Sequence, residues 1–273
     1  MPASKKPVKK VTQPYLKGKP VDSALPLNAL RFFGGLGLLM LMNVLLSALM
    51  SLETAWLKAL VCILIILGTV VLFFLAGAGS GTKLVARSEN FYDRKASGRT
   101  MYAGEEASCY HPLKGLLYAL VGSLPVLAVA IWLALIAQRQ VTSYGVLPSW
   151  VSTSAQPQLA AALDYYNTAA TTSVETILRV IVRLLILPYV GLVGSESSEA
   201  LLTLERLSPL LLLLPAISYG IGFTQGPARR TLVHTKIAEN IRQRRKQEKK
   251  AQKKRSGSLI TAPVKQKKPE ELN

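Results

Sequence analysis

Apolar residues in this chain are gathered into long unbroken blocks; they neither recur on one face of a helix nor alternate along a strand. The clearest blocks are residues 29–49, 55–77 and 115–137. Each has about the 20 residues that a helix rising 1.5 Å per residue needs to cross the hydrocarbon of a bilayer. Two further blocks, residues 174–194 and 207–223, are less clean. The pattern predicts an all-α fold, a multi-pass α-helical membrane protein, in place of a soluble globular core.

Local chemistry sets the expected boundaries. Pro26 and Asn28 stand where a first helix begins, and Asn43 is the single strongly polar residue of its block. Gly34, Gly35 and Gly37 offer room there for a close helix contact, although not at clean G-x-x-x-G spacing. Residues 50–54 make a short turn into the second block, where Trp56 marks the outer end and Lys58 lies close enough to extend its ammonium to water. In the third block Pro125 predicts a kink and Trp132 lies towards the far end.

Orientation is read from the connections, because lysine and arginine are retained on the cytoplasmic side. Residues 78–113 carry Lys83, Arg87, Arg94, Lys95 and Arg99, so this segment is expected inside. Residues 138–206 hold four arginines, no lysine and five acidic residues, a net −1, and are expected outside. Trp56, Trp132 and Trp150 then fall near one membrane face, as an interfacial belt does.

Counting now produces a conflict, since five crossings would carry the basic C-terminus outside. One block must fail to span. Residues 174–194 contain Arg179 and Arg183, spaced i, i+4 on one helix face. Each would cost about 2.5–3.5 kcal/mol near the centre of a lone crossing. Residues 207–223 carry no charge but include Pro209, Pro215, Gly220 and Gly222. We read 207–223 as the fourth crossing and 174–194 as an interfacial or re-entrant helix on the outer face, its arginines on the wet side. The alternative makes 174–194 span and 207–223 re-enter from the cytoplasm. Ser197, between the two blocks, is outside in the first assignment and inside in the second.

Charge sharpens this picture through its placement. Of the formal +18, residues 1–27 supply +5, six lysines against Asp22, and residues 229–273 supply +11, fifteen lysines or arginines against four glutamates. The chain therefore divides into a basic cytoplasmic arm (1–27), extended or disordered, a transmembrane helical domain (28–225) and a basic cytoplasmic tail (226–273). In the tail, Val233, Ile237 and Ile241 recur every four residues among basic side chains, which predicts a helix able to lie on an anionic membrane surface. Past Arg255, Ser256-Gly257-Ser258, Pro263 and Pro269 suggest a loose end.

The cluster Arg242, Arg244, Arg245, Lys246, Lys249, Lys250, Lys253, Lys254 and Arg255 is the candidate site for anionic lipid headgroups or an acidic protein partner. RNA or ribosome contact is the weaker reading, because no aromatic residue between Arg229 and Asn273 is there to stack on bases.

Catalytic chemistry finds little footing. The run from Gly77 to Lys83 has Thr82 before the lysine and Leu84 after it, so it fits neither a Walker A loop nor a dinucleotide fingerprint; a flexible helix exit is expected. Cys109 and His111 lie close together, but two ligands make no zinc site, and the segment reads as a loop tightening before Pro112. Cys62 and Cys109 are the only cysteines, which excludes a disulfide framework. No acidic residue lies within a confident crossing, and no metal or cofactor is expected.

Arg179 and Arg183 remain as the intramembrane or interfacial polar candidates, since an ionisable group at that depth is a functional hypothesis. The expectation is a non-enzymatic accessory or scaffold subunit of a bacterial cell membrane, both termini cytoplasmic, whose basic tails bind lipid or an acidic partner. The alternative is a transporter or channel component using Arg179 and Arg183.

Overall fold

The computed structural model describes residues 11–50, 54–100, 102, 104–137, 173–193 and 198–260. Among these residues every regular element is a helix; the only extended pairing is an isolated bridge between Lys17 and Tyr110. The helices are α1 (Leu25–Leu45), α2 (Ser47–Met50), α3 (Ala55–Ala96), α4 (Lys114–Ile136), α5 (Ser173–Leu185), α6 (Leu187–Val193), α7 (Ser198–Thr224) and α8 (Gly226–Ile260).

Four of them, α1, α3, α4 and the Glu199–Thr224 part of α7, are long and apolar enough to cross a membrane. The 13 residues of α5 and the 7 of α6 are too short, since about 20 residues are needed. Thus the described residues 174–193 fold as a broken pair, while 207–223 lies inside a helix of 27 residues. Ser197 lies outside the described residues.

Helix ends follow local rules. Pro26 sits in the first turn of α1, where a missing N–H costs nothing. The end of α3 closes with Gly98 at φ +74°, where Gly98 N–H donates to Lys95 O and Arg99 N–H to Arg94 O. This left-handed glycine cap satisfies two orphan carbonyls.

Two expectations are corrected in α3. The second apolar block was expected to end at residue 77, with the glycine run as a flexible exit; instead one helix of 42 residues runs through it to Ala96. The reason is packing. Gly77 and Gly81 face Gly222 and Gly226, each pair spaced i, i+4. A Cβ on Gly77 would collide with the Tyr219 carbonyl, one on Gly81 with the Phe223 carbonyl, and one on Gly222 with the Phe74 carbonyl. These small residues let the α3 and α7 backbones touch, and Ser218 Oγ donates across the seam to Val70 O at 2.6 Å. Close contact was anticipated at Gly34, Gly35 and Gly37, yet Gly34 and Gly37 face open space and only the Phe73 ring approaches Gly35.

The helices α3, α4 and α7 form the centre, with α1 against α4. At one end, Tyr118 and Phe223 meet edge to face and Tyr110 stacks on Phe223 at 5.5 Å. Tyr15 lies edge-on to Tyr110. The arm before α1 and the end of α7 therefore meet at the same end of the bundle. At the other end, Val182, Leu185 and Ile186 of the broken pair pack among Ala130, Leu133 and Leu212.

Residues 15–227 form one compact unit, and the described residues of 1–14 and 228–273 form a second. In the second, Val11 N–H donates to Thr235 Oγ1 at 3.3 Å on α8. The helix α8 continues to Ile260, through the Ser256-Gly257-Ser258 stretch expected to be loose.

Candidate functional site

The broken pair α5–α6 brings the two candidate arginines to a carboxylate. One side of α5 buries Val182 and Leu185, and this fixes the register that turns Arg179 inward as well. Glu205 Oε1 accepts from Arg183 Nη2 at 2.6 Å and Nε at 2.8 Å, and lies 3.3 Å from Arg179 Nε. Arg179 and Glu205 are each 3 % exposed, whereas the Arg183 side chain keeps 31 %. The expectation that both arginines line a wet face is therefore corrected for Arg179. An isolated buried guanidinium is prohibitively costly, so the carboxylate is what allows it there.

Glu205 is the residue that sequence reasoning missed, and it puts an acid inside a helix long and apolar enough to cross a membrane, where none was expected. The fourth block was drawn from residue 207, but α7 starts at Ser198. Leu201, Leu202 and Leu204 were the available signal that the apolar face begins earlier. The same turn solves a backbone problem. Pro209 cannot donate to the Glu205 carbonyl, and Ser208 Oγ does so instead at 2.7 Å.

Asn43 performs the matching service for the break itself. Its Nδ2 donates to Leu184 O and Leu185 O, both at 3.0 Å. Pro188 has no N–H for the Leu184 carbonyl, so the amide of α1 holds the place where the helix stops.

A second buried charge cluster sits at the other end of α4. Lys114 Nζ donates to Asp22 Oδ2 at 2.7 Å and to Ala107 O at 2.6 Å. Tyr118 OH donates to Asp22 at 3.0 Å. Lys114 is completely buried.

The adjacent chain is anchored too. Gly18 N–H donates to Tyr110 O at 2.9 Å and Tyr110 N–H to Ser88 Oγ at 2.7 Å. Residues 15–22 of the arm, expected to be extended or disordered, are thus extended and tied down. Burial, then the nearby Tyr15, pushes the Tyr110 hydroxyl up to about 12. Burial likewise pushes the Cys109 thiol up. His111 Nδ1 accepts from Leu113 N–H at 3.3 Å within the same loop.

The basic cluster of the tail lies on α8. Arg242, Arg244, Arg245, Lys246, Lys249 and Lys250 are all exposed, and the helix backbone extends through Lys253, Lys254 and Arg255. Leu232, Val233, Ile237 and Ile241 are exposed as well. The structure brings Arg179 and Arg183 together on Glu205 but leaves the tail cations strung along one rod.

Among the described residues, no group of three or more His, Cys, Asp or Glu side chains is placed to hold a metal ion. No protein-family model matches the chain, and neither a curated protein nor a solved structure is similar to it.

Proposed function

We propose that this chain is a non-enzymatic scaffold subunit of a membrane, anchored by four crossings, whose basic helix α8 binds anionic lipid headgroups. The observation that carries the reading is α8 itself: 35 residues of continuous helix. Residues 229–260 bear twelve lysines or arginines against Glu239 and Glu248, a net +10. Each such cation near an anionic surface contributes about 1 kcal/mol, while the exposed Val233, Ile237 and Ile241 supply an apolar stripe to enter the headgroup boundary.

Exposed leucines along α1 and α3, among them Leu38, Leu41, Leu64 and Leu72, suit a lipid surround. The arm and the end of α7 meet at one end of the bundle, which supports both basic termini on one side. By the retention of basic segments that side is cytoplasmic, in a bacterial cell membrane. An acidic protein partner is the other occupant that the same charge would serve. The transport reading loses its free arginines, since Arg179 and Arg183 share Glu205.

A peptide of residues 229–255 should bind vesicles containing anionic lipid, gain helicity on binding, and be released by high salt as screening shortens the reach of exposed charge. Equal binding to neutral vesicles would refute the proposal.

A further inference from the structure

Beside Asn43, deep in the bundle, lies a cavity of about 20 Å³. It is walled by Asn43 of α1, Thr69 of α3, Ile186 and Pro188 at the helix break, and Leu211 and Pro215 of α7. A space above roughly 10–15 Å³ accommodates one water when two or more polar groups face it.

Asn43 is 1 % exposed, and its Nδ2 is committed to Leu184 O and Leu185 O. Its Oδ1 has no hydrogen-bond partner in the protein. A second acceptor comes from α7. Leu211 lines the cavity, and the residue four positions on is Pro215, which has no N–H to give its carbonyl. The Thr69 hydroxyl is spent on Ile65 O at 2.9 Å. Among these groups the walls offer acceptors; Tyr189 also lines the cavity, but its hydroxyl does not serve Asn43 Oδ1, which is left without a partner.

Burial of Asn43 keeps its amide from bulk solvent. The helix α5 ends on the cavity at Leu185, and none of the lining residues is a carboxylate that would hold a metal cation. What fits is a neutral molecule of one heavy atom with two hydrogens to donate.

We propose that this cavity is a built water site, in which one water donates to Asn43 Oδ1 and to the Leu211 carbonyl. The water completes the hydrogen bonding at two prolines, through Asn43 at Pro188 beside the break between α5 and α6, and directly at Pro215 inside α7. It is the joint at which α1, the broken pair and α7 meet.

The test is a map of the full-length protein in lipid nanodiscs, at a resolution that shows other buried waters. A peak within hydrogen-bond distance of both Asn43 Oδ1 and Leu211 O is expected. A dry cavity overturns the proposal, and so does a site that takes up thallium. Independently, the Asn43 side-chain amide should show a nuclear Overhauser contact to a long-lived water, and its absence counts against the site. In Pro215→Ala the restored N–H satisfies Leu211, so that contact should fall by at least about half; an unchanged contact shows that Leu211 does not hold the water.

Discussion

At one end of α4, the ammonium of Lys114 is wholly buried against Asp22, with Tyr118 and a backbone carbonyl completing the shell. At the other end, two guanidinium groups share Glu205, and one of them still reaches solvent. The first cluster joins segments 92 residues apart, the arm and α4; the second joins the broken pair to α7. The difference teaches what each can tolerate. A fully enclosed pair has no water to fall back on when one member is lost, whereas a half-open arginine can turn outward.

The largest effect expected from that contrast is in Asp22→Asn, which strands a buried ammonium and should cost about 3–5 kcal/mol. Thermal unfolding in mild detergent measures it. Replacing the pair together, Asp22→Leu with Lys114→Met, should recover most of the loss, because apolar substitutes for a buried pair are often neutral or better. A double variant as unstable as Asp22→Asn would mean that the arm is held by shape and not by charge.

The Glu205 cluster is graded by exposure. Glu205→Gln strands the buried Arg179 guanidinium and should cost about 3 kcal/mol, the lower end for breaking a buried pair, because Arg183 can turn outward. Arg183→Leu should stay within about 1 kcal/mol, as for partly exposed ion pairs. If Arg183→Leu proves the more damaging of the two, the ranking by exposure is wrong.

The smallest effect is kinetic and concerns the enclosed end alone. Burial raises the Cys109 thiol, so its reactive thiolate forms only at higher pH than usual. At pH 8 its alkylation should lag well behind a cysteine placed by Ser97→Cys, an exposed position, and should gain on it as pH rises. The sign for stability runs the same way: the folded state favours the neutral thiol, so this contribution is present below the ordinary thiol range and lost above it. Equal rates at pH 8 would show that the loop opens freely.

The four helices long and apolar enough to cross a membrane were legible in the sequence because such a crossing is a demand on local composition, met within each block of about 20 residues. Where helices stop was less legible. Residues 78–96 look polar and loop-like, yet α3 continues because Gly77 and Gly81 seat its backbone on α7, a contact with residues over a hundred positions away. Arg179 and Arg183 were visible as anomalies, but their partner fell just outside the block that hydrophobicity drew. Asp22 and Lys114 carried no signal at all; each reads as an ordinary charge at a block edge until the fold brings them to 2.7 Å.

The unbroken course of α3 has a mechanical consequence. Its 42 residues make a rod of about 63 Å at 1.5 Å per residue, roughly twice the thickness of bilayer hydrocarbon. A rod without a joint at the boundary acts as a lever: tilting its apolar half by about 10° swings the far tip through about 5 Å, for some 30 Å of projecting helix. The cap at Gly98 rides on that tip. Any tilt of α3 is thereby converted into sideways displacement of that cap, with no intervening hinge to absorb it.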